Sequence, residues 1–318
     1  MINQRTFALG VIISVGLLSG CGASLDDKGA SASLIPAKTA TLPPGTTALL
    51  SQANSKWSDV SEPGNIVTAS GFSSEAIFGQ NKDTPSEPET DDSAAVKIAY
   101  DSSGNISGLS VINDNVNLTW NDGFGEHNRN SSLTVTDGDD ADGMIYDPEN
   151  GSNWNYQTMA TWVQANEAAG GRIGAMSVGN KTAGTSIPSL STAAFTGVAE
   201  GMYVTDNHDF YGVSSDATLV ADFVNRSVTF ATTNSKIHTY DTHVTTSKSD
   251  LDLTGTFSYS ADNNTLTASS LSSKTSGWTG GTASAKFYGP NAEEIGGVFS
   301  IRGTGPREAY EGAFGAKR

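Results

Sequence analysis

The chain has 318 residues, 36% of them hydrophobic and 16% charged, with 35 Gly and 10 Pro. That is enough for one large or two modest β-rich domains and too interrupted for a long coiled coil or a helical solenoid. With 34 acidic residues against 18 basic ones the net charge is −16, so a polyanion is repelled and nucleic acid is excluded as a partner. The single Cys excludes an internal disulfide and any cysteine-cage zinc or iron–sulfur site.

Residues 1–20 read as a secretory signal peptide: Arg5, then an apolar run from Phe7 to Leu18, then small residues. The run is about twelve residues, too short to cross a hydrocarbon core that needs roughly twenty. Its end, Leu18-Ser19-Gly20-Cys21, resembles the lipobox of bacterial lipoproteins, and the only Cys of the chain stands where cleavage is expected. That resemblance implies lipid attachment at Cys21 and anchoring in a membrane without spanning it. Gly22 stands where an Asp would resemble an inner-membrane retention signal, which points to the outer membrane of a Gram-negative cell. Loss of residues 1–20 removes one positive charge and no negative one, so the remaining chain carries −17.

Residues 21–55 are rich in Ser, Ala, Thr, Pro and Gly, without an apolar period, and are expected to form a flexible tether. From residue 56 onward, short alternating segments punctuated by Gly, Asn and Asp predict antiparallel β structure. Asp83 to Ser93, with Pro85, Pro88 and five acidic side chains, reads as a solvated surface loop interrupting that pattern. Val96, Ile98 and Tyr100 alternate before the turn Asp101-Ser102-Ser103-Gly104, and Val116, Leu118 and Trp120 before Asn121-Asp122-Gly123. Tyr156 to Ala169 has near-helical spacing at Met159, Trp162 and Val163, so helix and strand stay open there on periodicity alone. Leu219, Ala221 and Phe223 followed by Val228 and Phe230 predict a hairpin around Asn225-Arg226. Leu253, Gly255, Phe257 and Tyr259, the turn at Ala261 to Asn264, and Leu266 and Ala268 predict another. Gly beside aromatics at Gly255 and Phe257, and again at Gly297 and Phe299, suits a small closed barrel, where one large side chain fits opposite a small one.

The usual chemical motifs are missing. No nucleophile elbow, no His pair four apart around a Glu and no Gly-rich loop ending in Lys-Ser or Lys-Thr occurs. Asp137 to Gly143 is acidic, but it lacks the turn Gly and the closing Glu of an EF-hand and reads as a polar turn. No base, nucleophile and orienting group assemble, so the chain is read as a non-enzyme. His208, His238 and His243 are close in sequence, and on a strand His238 and Tyr240 share a face, an arrangement open to haem iron or another transition metal as a ligand. The bland alternative is a polar loop between strands, since Lys236, Thr239, Thr242, Thr245 and Thr246 surround them. Phe210 and Tyr211 are candidate ligand contacts on a loop or, equally, core residues opening a strand. No resident cofactor is expected.

At the carboxyl end, Phe287-Tyr288-Gly289-Pro290-Asn291-Ala292-Glu293-Glu294-Ile295-Gly296-Gly297-Val298-Phe299, followed by Gly312-Ala313-Phe314-Gly315-Ala316-Lys317-Arg318, resembles the terminal hairpin of the transferrin-binding protein B-like β-barrel of surface lipoproteins. Thr196-Gly197 with Gly201-Met202-Tyr203-Val204 resembles the first barrel strand of that family, and Ala221-Asp222-Phe223-Val224 its second. Tyr156-Gln157-Thr158 through Trp162, then Gly179-Asn180-Lys181-Thr182, resembles the segment leading into the barrel, which tips that stretch from helix to strand. The resemblance implies an all-β chain with a β-rich handle-like domain over residues 56–193 and an eight-stranded antiparallel β-barrel over residues 194–318. Members with two barrels are common, whereas this chain has room for one.

The expected function is that of a lipid-anchored, surface-exposed outer-membrane binding protein. It would recognise a protein or small-molecule ligand through barrel rim loops and the handle, and a surface-lipoprotein translocator is implied as an export partner. A haem or metal carrier and an envelope structural lipoprotein are the alternatives.

Overall fold

The computed structural model describes residues 42–50, 55–79, 89–113, 116–121, 124–127, 132–136, 141–146, 154–166, 170–207, 209–239, 244–273 and 277–318. The described secondary structure is strand, apart from short 3-10 turns at Trp57–Asp59, Gly184–Ser186 and Ser249–Leu251.

Ten strands form the first sheet: β1 (Thr46–Leu49), β2 (Asn65–Gly79), β3 (Glu89–Tyr100), β4 (Ile106–Ile112), β5 (Asn117–Trp120), β6 (Phe124–His127), β7 (Ser132–Thr136), β8 (Ala141–Tyr146), β9 (Gln157–Asn166) and β10 (Gly170–Gly179). Their order is β5-β4-β3-β2-β10-β9-β8-β7-β6, with β1 added in parallel to β2. β5 and β6 end that path on opposite sides, yet only residues 121–123 separate Trp120 from Phe124. At ~3.5 Å per residue the two edges lie within roughly 14 Å of each other, so the sheet must curl almost shut. Trp120 Nε1 on β5 accordingly donates to Ala141 O on β8, at 3.1 Å. Inside the curl sit Trp57, Val67, Val96, Ile98, Leu109, Trp162 and Met176.

The second sheet contains β11 (Thr192–Val204), β12 (Phe210–Asp222), β13 (Ser227–His238), β14 (Thr245–Ser247), β15 (Leu253–Ser258), β16 (Leu266–Ser273), β17 (Gly281–Tyr288), β18 (Glu294–Arg302) and β19 (Ala309–Lys317). β11 pairs with both β12 and β19, and β12 with β13, so eight antiparallel strands close on themselves while β14 hangs from β13. This is the antiparallel β structure that the alternating pattern predicts, in the eight-stranded barrel that the resemblance implies. Closure removes the two free edges that an open sheet of these eight strands would have, and β14 adds only to the stretch of β13 that β15 leaves unpaired.

Aromatics fill the barrel. Phe195, Phe230, Phe257, Phe287, Phe299, Tyr310 and Phe314 all point inward and are essentially inaccessible. Phe230 and Phe314 meet at 4.7 Å between ring centroids, and Phe299 and Tyr310 at 4.9 Å. Room for these rings comes from the small residues between them: a Cβ on Gly312 would lie 2.3 Å from Phe299 Cζ.

β18 and β19 are buried on both faces. Their inward residues join the barrel core, while Val298 and Ala313 pack outward on Phe72, Met159, Trp154 and Ala175 of the first sheet and its approach to β9. Ala76 and Ile173 likewise pack on Met202, Val204 and Ala309. Hydrogen bonds accompany this apolar contact. Tyr146 OH donates to Glu200 Oε1 at 2.7 Å, and the Glu294 carboxylate accepts the backbone N–H groups of Asn155 and Tyr156 at 2.5 and 3.0 Å. Gln157 Nε2 donates to Ile295 O and Ala316 O, each at 3.0 Å.

Three expectations need correction or resolution. Thr46–Leu49, placed in the tether, pairs with Asn65–Thr68, and Leu50 beyond it is fully buried. Its Ser/Thr/Pro-rich composition misled because a parallel edge strand is held by backbone pairing with little apolar signature. Glu89–Ser93, placed in a solvated loop, belongs to β3, with Glu89, Thr90 and Asp91 opposite Glu75, Ser74 and Ser73. The ambiguous stretch after Tyr156 is strand β9; it is buried on both faces through Trp162, which destroys the period-2 contrast. Of the run Asp137 to Gly143, read as a polar turn, positions 137–140 lie outside the described residues and Ala141, Asp142 and Gly143 open strand β8.

Candidate functional site at the barrel rim

The filled interior leaves a ligand only the outer wall and the two ends. One end, where Asp222, Ser227, Ser258, Leu266, Tyr288 and Glu294 terminate or begin strands, is crossed by the segment joining the two sheets. Thr182 N donates to Phe287 O at 3.0 Å, and Gly289 N to Asn180 O at 2.9 Å. Asn264 fastens the crossing: its Nδ2 donates to Thr182 O at 2.8 Å and Phe287 O at 2.7 Å, and its Oδ1 accepts Phe287 N–H at 2.7 Å. Gly184 passes so close that a Cβ would lie 2.0 Å from Asp262 O.

The opposite end is a rim of loops after Val204, His238, Ser273 and Arg302. Two of these loops are tied together. Arg307 N donates to Asp206 Oδ1 at 2.9 Å, and its guanidinium to Asp206 O at 3.3 Å. Glu308 latches its own loop to the wall, since Oε1 accepts the Tyr203 hydroxyl at 3.0 Å and Oε2 accepts Gly305 N–H at 3.1 Å. Burial, and then the bond to Glu308, pushes the Tyr203 hydroxyl well above its ordinary pKa, so it remains a donor. Below the latch, Tyr203 stacks with Tyr211 at 6.2 Å and packs on Trp278 at 5.9 Å, closing the barrel mouth with rings.

Three sequence candidates come together at this end. Phe210 packs on the cluster between the sheets, Tyr211 turns the other way onto the barrel core, and His238 lies across from Gly212 on β13. His238 Nε2 is 2.7 Å from Ser214 Oγ and Nδ1 is 2.9 Å from Thr245 Oγ1. Burial, with Lys236 nearby, holds its pKa below the usual imidazole value. Cys21, His208, Tyr240 and His243 lie outside the described residues. Among the described residues, no three His, Cys, Asp or Glu side chains converge as a metal ion requires. Sequence reasoning missed the Tyr203–Glu308 latch and the Asp206–Arg307 tie. The signal available was Gly303-Thr304-Gly305-Pro306, a loop between two alternating segments, followed directly by a charged pair.

No curated protein matches the chain. Among solved structures it is similar to a transferrin binding protein B mutant from Haemophilus parasuis, at 14% identity over 77% of this chain and 44% of that one, with a TM-score of 0.45. Isotype 1 transferrin binding protein B from serogroup B Neisseria meningitidis is similar at 15% identity over 72% and 52%, with a TM-score of 0.41. A mutant from Actinobacillus pleuropneumoniae is similar at 11% over 78% and 99%, with a TM-score of 0.39. The chain spans about half the length of the first of these structures. Residues 152–318, just over half the chain, match the family described as the C-lobe and N-lobe beta barrels of Tf-binding protein B, and the chain belongs to that family.

Proposed function

We propose that this protein is a lipid-anchored binding protein of the Gram-negative outer membrane, attached through Cys21 and displayed at the cell surface, that grips a macromolecular or small ligand without transforming it. The observation that carries the reading is the state of the barrel. Its interior is packed with rings and one end is crossed by the joining segment, so the loops of the other rim are the part free to vary while the strands hold them in place. The ends of β2 and β10 lie beside that rim, since Ala76 and Ile173 pack on Val204 and Ala309. Together they offer a surface on which an interface of about 1,600 Å² can form. Transferrin, after which the similar solved proteins are named, is the first ligand to test, and a surface-lipoprotein translocator is the expected export partner.

Two measurements test this. Protease shaving of intact cells should remove the protein; its retention until the outer membrane is permeabilised would argue against surface display. The full chain should then be assayed for binding to transferrin and to host fluids. Replacing Thr205–Asp209 together with Gly303–Arg307 by Gly/Ser should abolish capture, while replacing Val224–Arg226 at the opposite end should not. The reverse pattern would overturn the assignment of the rim.

A further inference from the structure

Away from the rim, the barrel wall contains a break that the reading above does not use. On β13, Val228, Phe230 and Thr232 point inward, but beyond the irregularity opposite Ser214 and Asp216 it is Ser235 and Ile237 that do. Asn234 absorbs the slip with φ of 57°, a left-handed conformation that a side chain rarely adopts, and its Nδ2 donates to Asp216 Oδ2 at 2.7 Å. The ladder of β13 to β15 ends at Ala231, and its ladder to β14 begins at Lys236. Across the gap, side chains do the stitching: Leu253 N donates to Thr232 Oγ1 at 2.7 Å, and Ser235 N to Asp252 Oδ1 at 3.0 Å.

A recess of about 410 Å³ opens at this break, within the range of small-molecule sites. Ser214, Asp216, Asn234, Lys236, Ser249 and Asp252 supply its polar lining, and Val198 is its one apolar side chain. Among the described residues no aromatic ring lines it, so an apolar or flat ligand such as haem gains little from them. A phosphate dianion would face two carboxylates against one ammonium. Hydroxyls and an amide, which both give and accept hydrogen bonds, beside carboxylates that accept and an ammonium that donates, match a ligand whose own surface is hydroxyls.

We propose that this recess is a saccharide site, taking one or two sugar rings through hydrogen bonds from their hydroxyls to Asp216, Asn234 and Asp252. With hydrogen bonds from these side chains alone, binding is weak, with dissociation constants on the order of millimolar. Saturation-transfer NMR on the full chain, kept in a detergent without a sugar headgroup, tests it with glucose, N-acetylglucosamine and lactose as probes and glycine and inorganic phosphate as controls. At least one saccharide should give saturable transfer. Asp216→Ala and Asn234→Gly, the second of which keeps the left-handed backbone, should each weaken it about tenfold, with unchanged thermal midpoints showing that the fold is kept. No transfer to any saccharide up to about 20 mM, transfer indifferent to both substitutions, or binding of glycine or phosphate alone would each overturn the proposal. None of these outcomes bears on ligand capture at the rim, so the two readings stand or fall separately.

Discussion

Ser74 Oγ on β2 donates to Glu311 Oε2 on β19 at 2.6 Å, so a wholly buried carboxyl of the barrel wall is held by a side chain of the other sheet. The second oxygen of Glu311 accepts from Ser300 Oγ on the neighbouring strand. Placing a carboxyl there is costly unless it is hydrogen-bonded or neutral, and the contact therefore links the joining of the two sheets to pH.

Burial pushes Glu311 up to about 7, against the bonds from Ser300 and Ser74 and the nearby Arg302, with Glu75 adding to the rise. Burial also pushes Glu294 up to about 7, opposed by the N–H groups of Asn155, Tyr156 and Gln157. Unfolded, both titrate near 4.5. Between those values the folded chain keeps protons that the unfolded chain has released. The stabilisation is therefore complete below the unfolded value and lost as pH rises through about 7, on the order of 3 kcal/mol per group. Calorimetry should show the thermal midpoint falling between about pH 5 and about pH 8, with a flatter slope in Glu311→Gln. A midpoint that rises across this window would contradict the assignment.

Asn264 makes three hydrogen bonds to the crossing segment and to β17. Asn264→Ala leaves buried backbone groups unpaired and should cost about 2–3 kcal/mol. Limited proteolysis between residues 184 and 191 should speed up. Urea titration measures the first effect and peptide mapping the second.

Gly312 faces the Phe299 ring, with Glu200 O only 2.7 Å from where a Cβ would stand. Gly312→Ala should destabilise the barrel by about 1–3 kcal/mol, because ring and backbone must both give way in a filled interior. A chevron or denaturant midpoint unchanged from the parent would show that the interior is looser than the ring contacts imply.

Tyr203→Phe removes one arm of the Glu308 latch and keeps the ring packing on Tyr211 and Trp278. The fold should lose about 1 kcal/mol, while hydrogen exchange at the Gly305 amide should accelerate. For a ligand held at the rim, affinity should fall several-fold through a faster off-rate, because the loop is no longer pre-organised.

Haemin added to the full chain should give no stoichiometric Soret shift that depends on His238, since both of its ring nitrogens already have hydroxyl partners. A shift lost in His238→Ala would restore the carrier reading.

The strands around Ile98, Leu118, Phe230 and Phe257 were legible because a strand with one buried face writes its period into neighbouring residues. β9, β18 and β19 were not legible in that way: each is buried on both faces, so the motifs of the resemblance and, in β18, Gly297 beside Phe299 pointed to them. Glu89 to Asp91 and Thr46 to Leu49 hid in polar composition, because what holds them is pairing of backbone groups. The slip at Asn234 left a trace in the lost alternation after Thr232, and that trace is the nearest thing in the chain to a written signal for the recess.

By itself, then, the sequence determined an antiparallel β chain with its hairpins, its acidic charge and the small-beside-large pattern of a closed barrel, all of which depend on near neighbours. Only the tertiary structure decided that the barrel is solid, which end the joining segment crosses, and that Tyr203 meets Glu308 and Ser74 meets Glu311. Those contacts join residues 105 and 237 positions apart. They exist only once strand register and closure have set the direction of every side chain, and no local pattern of residues carries that information.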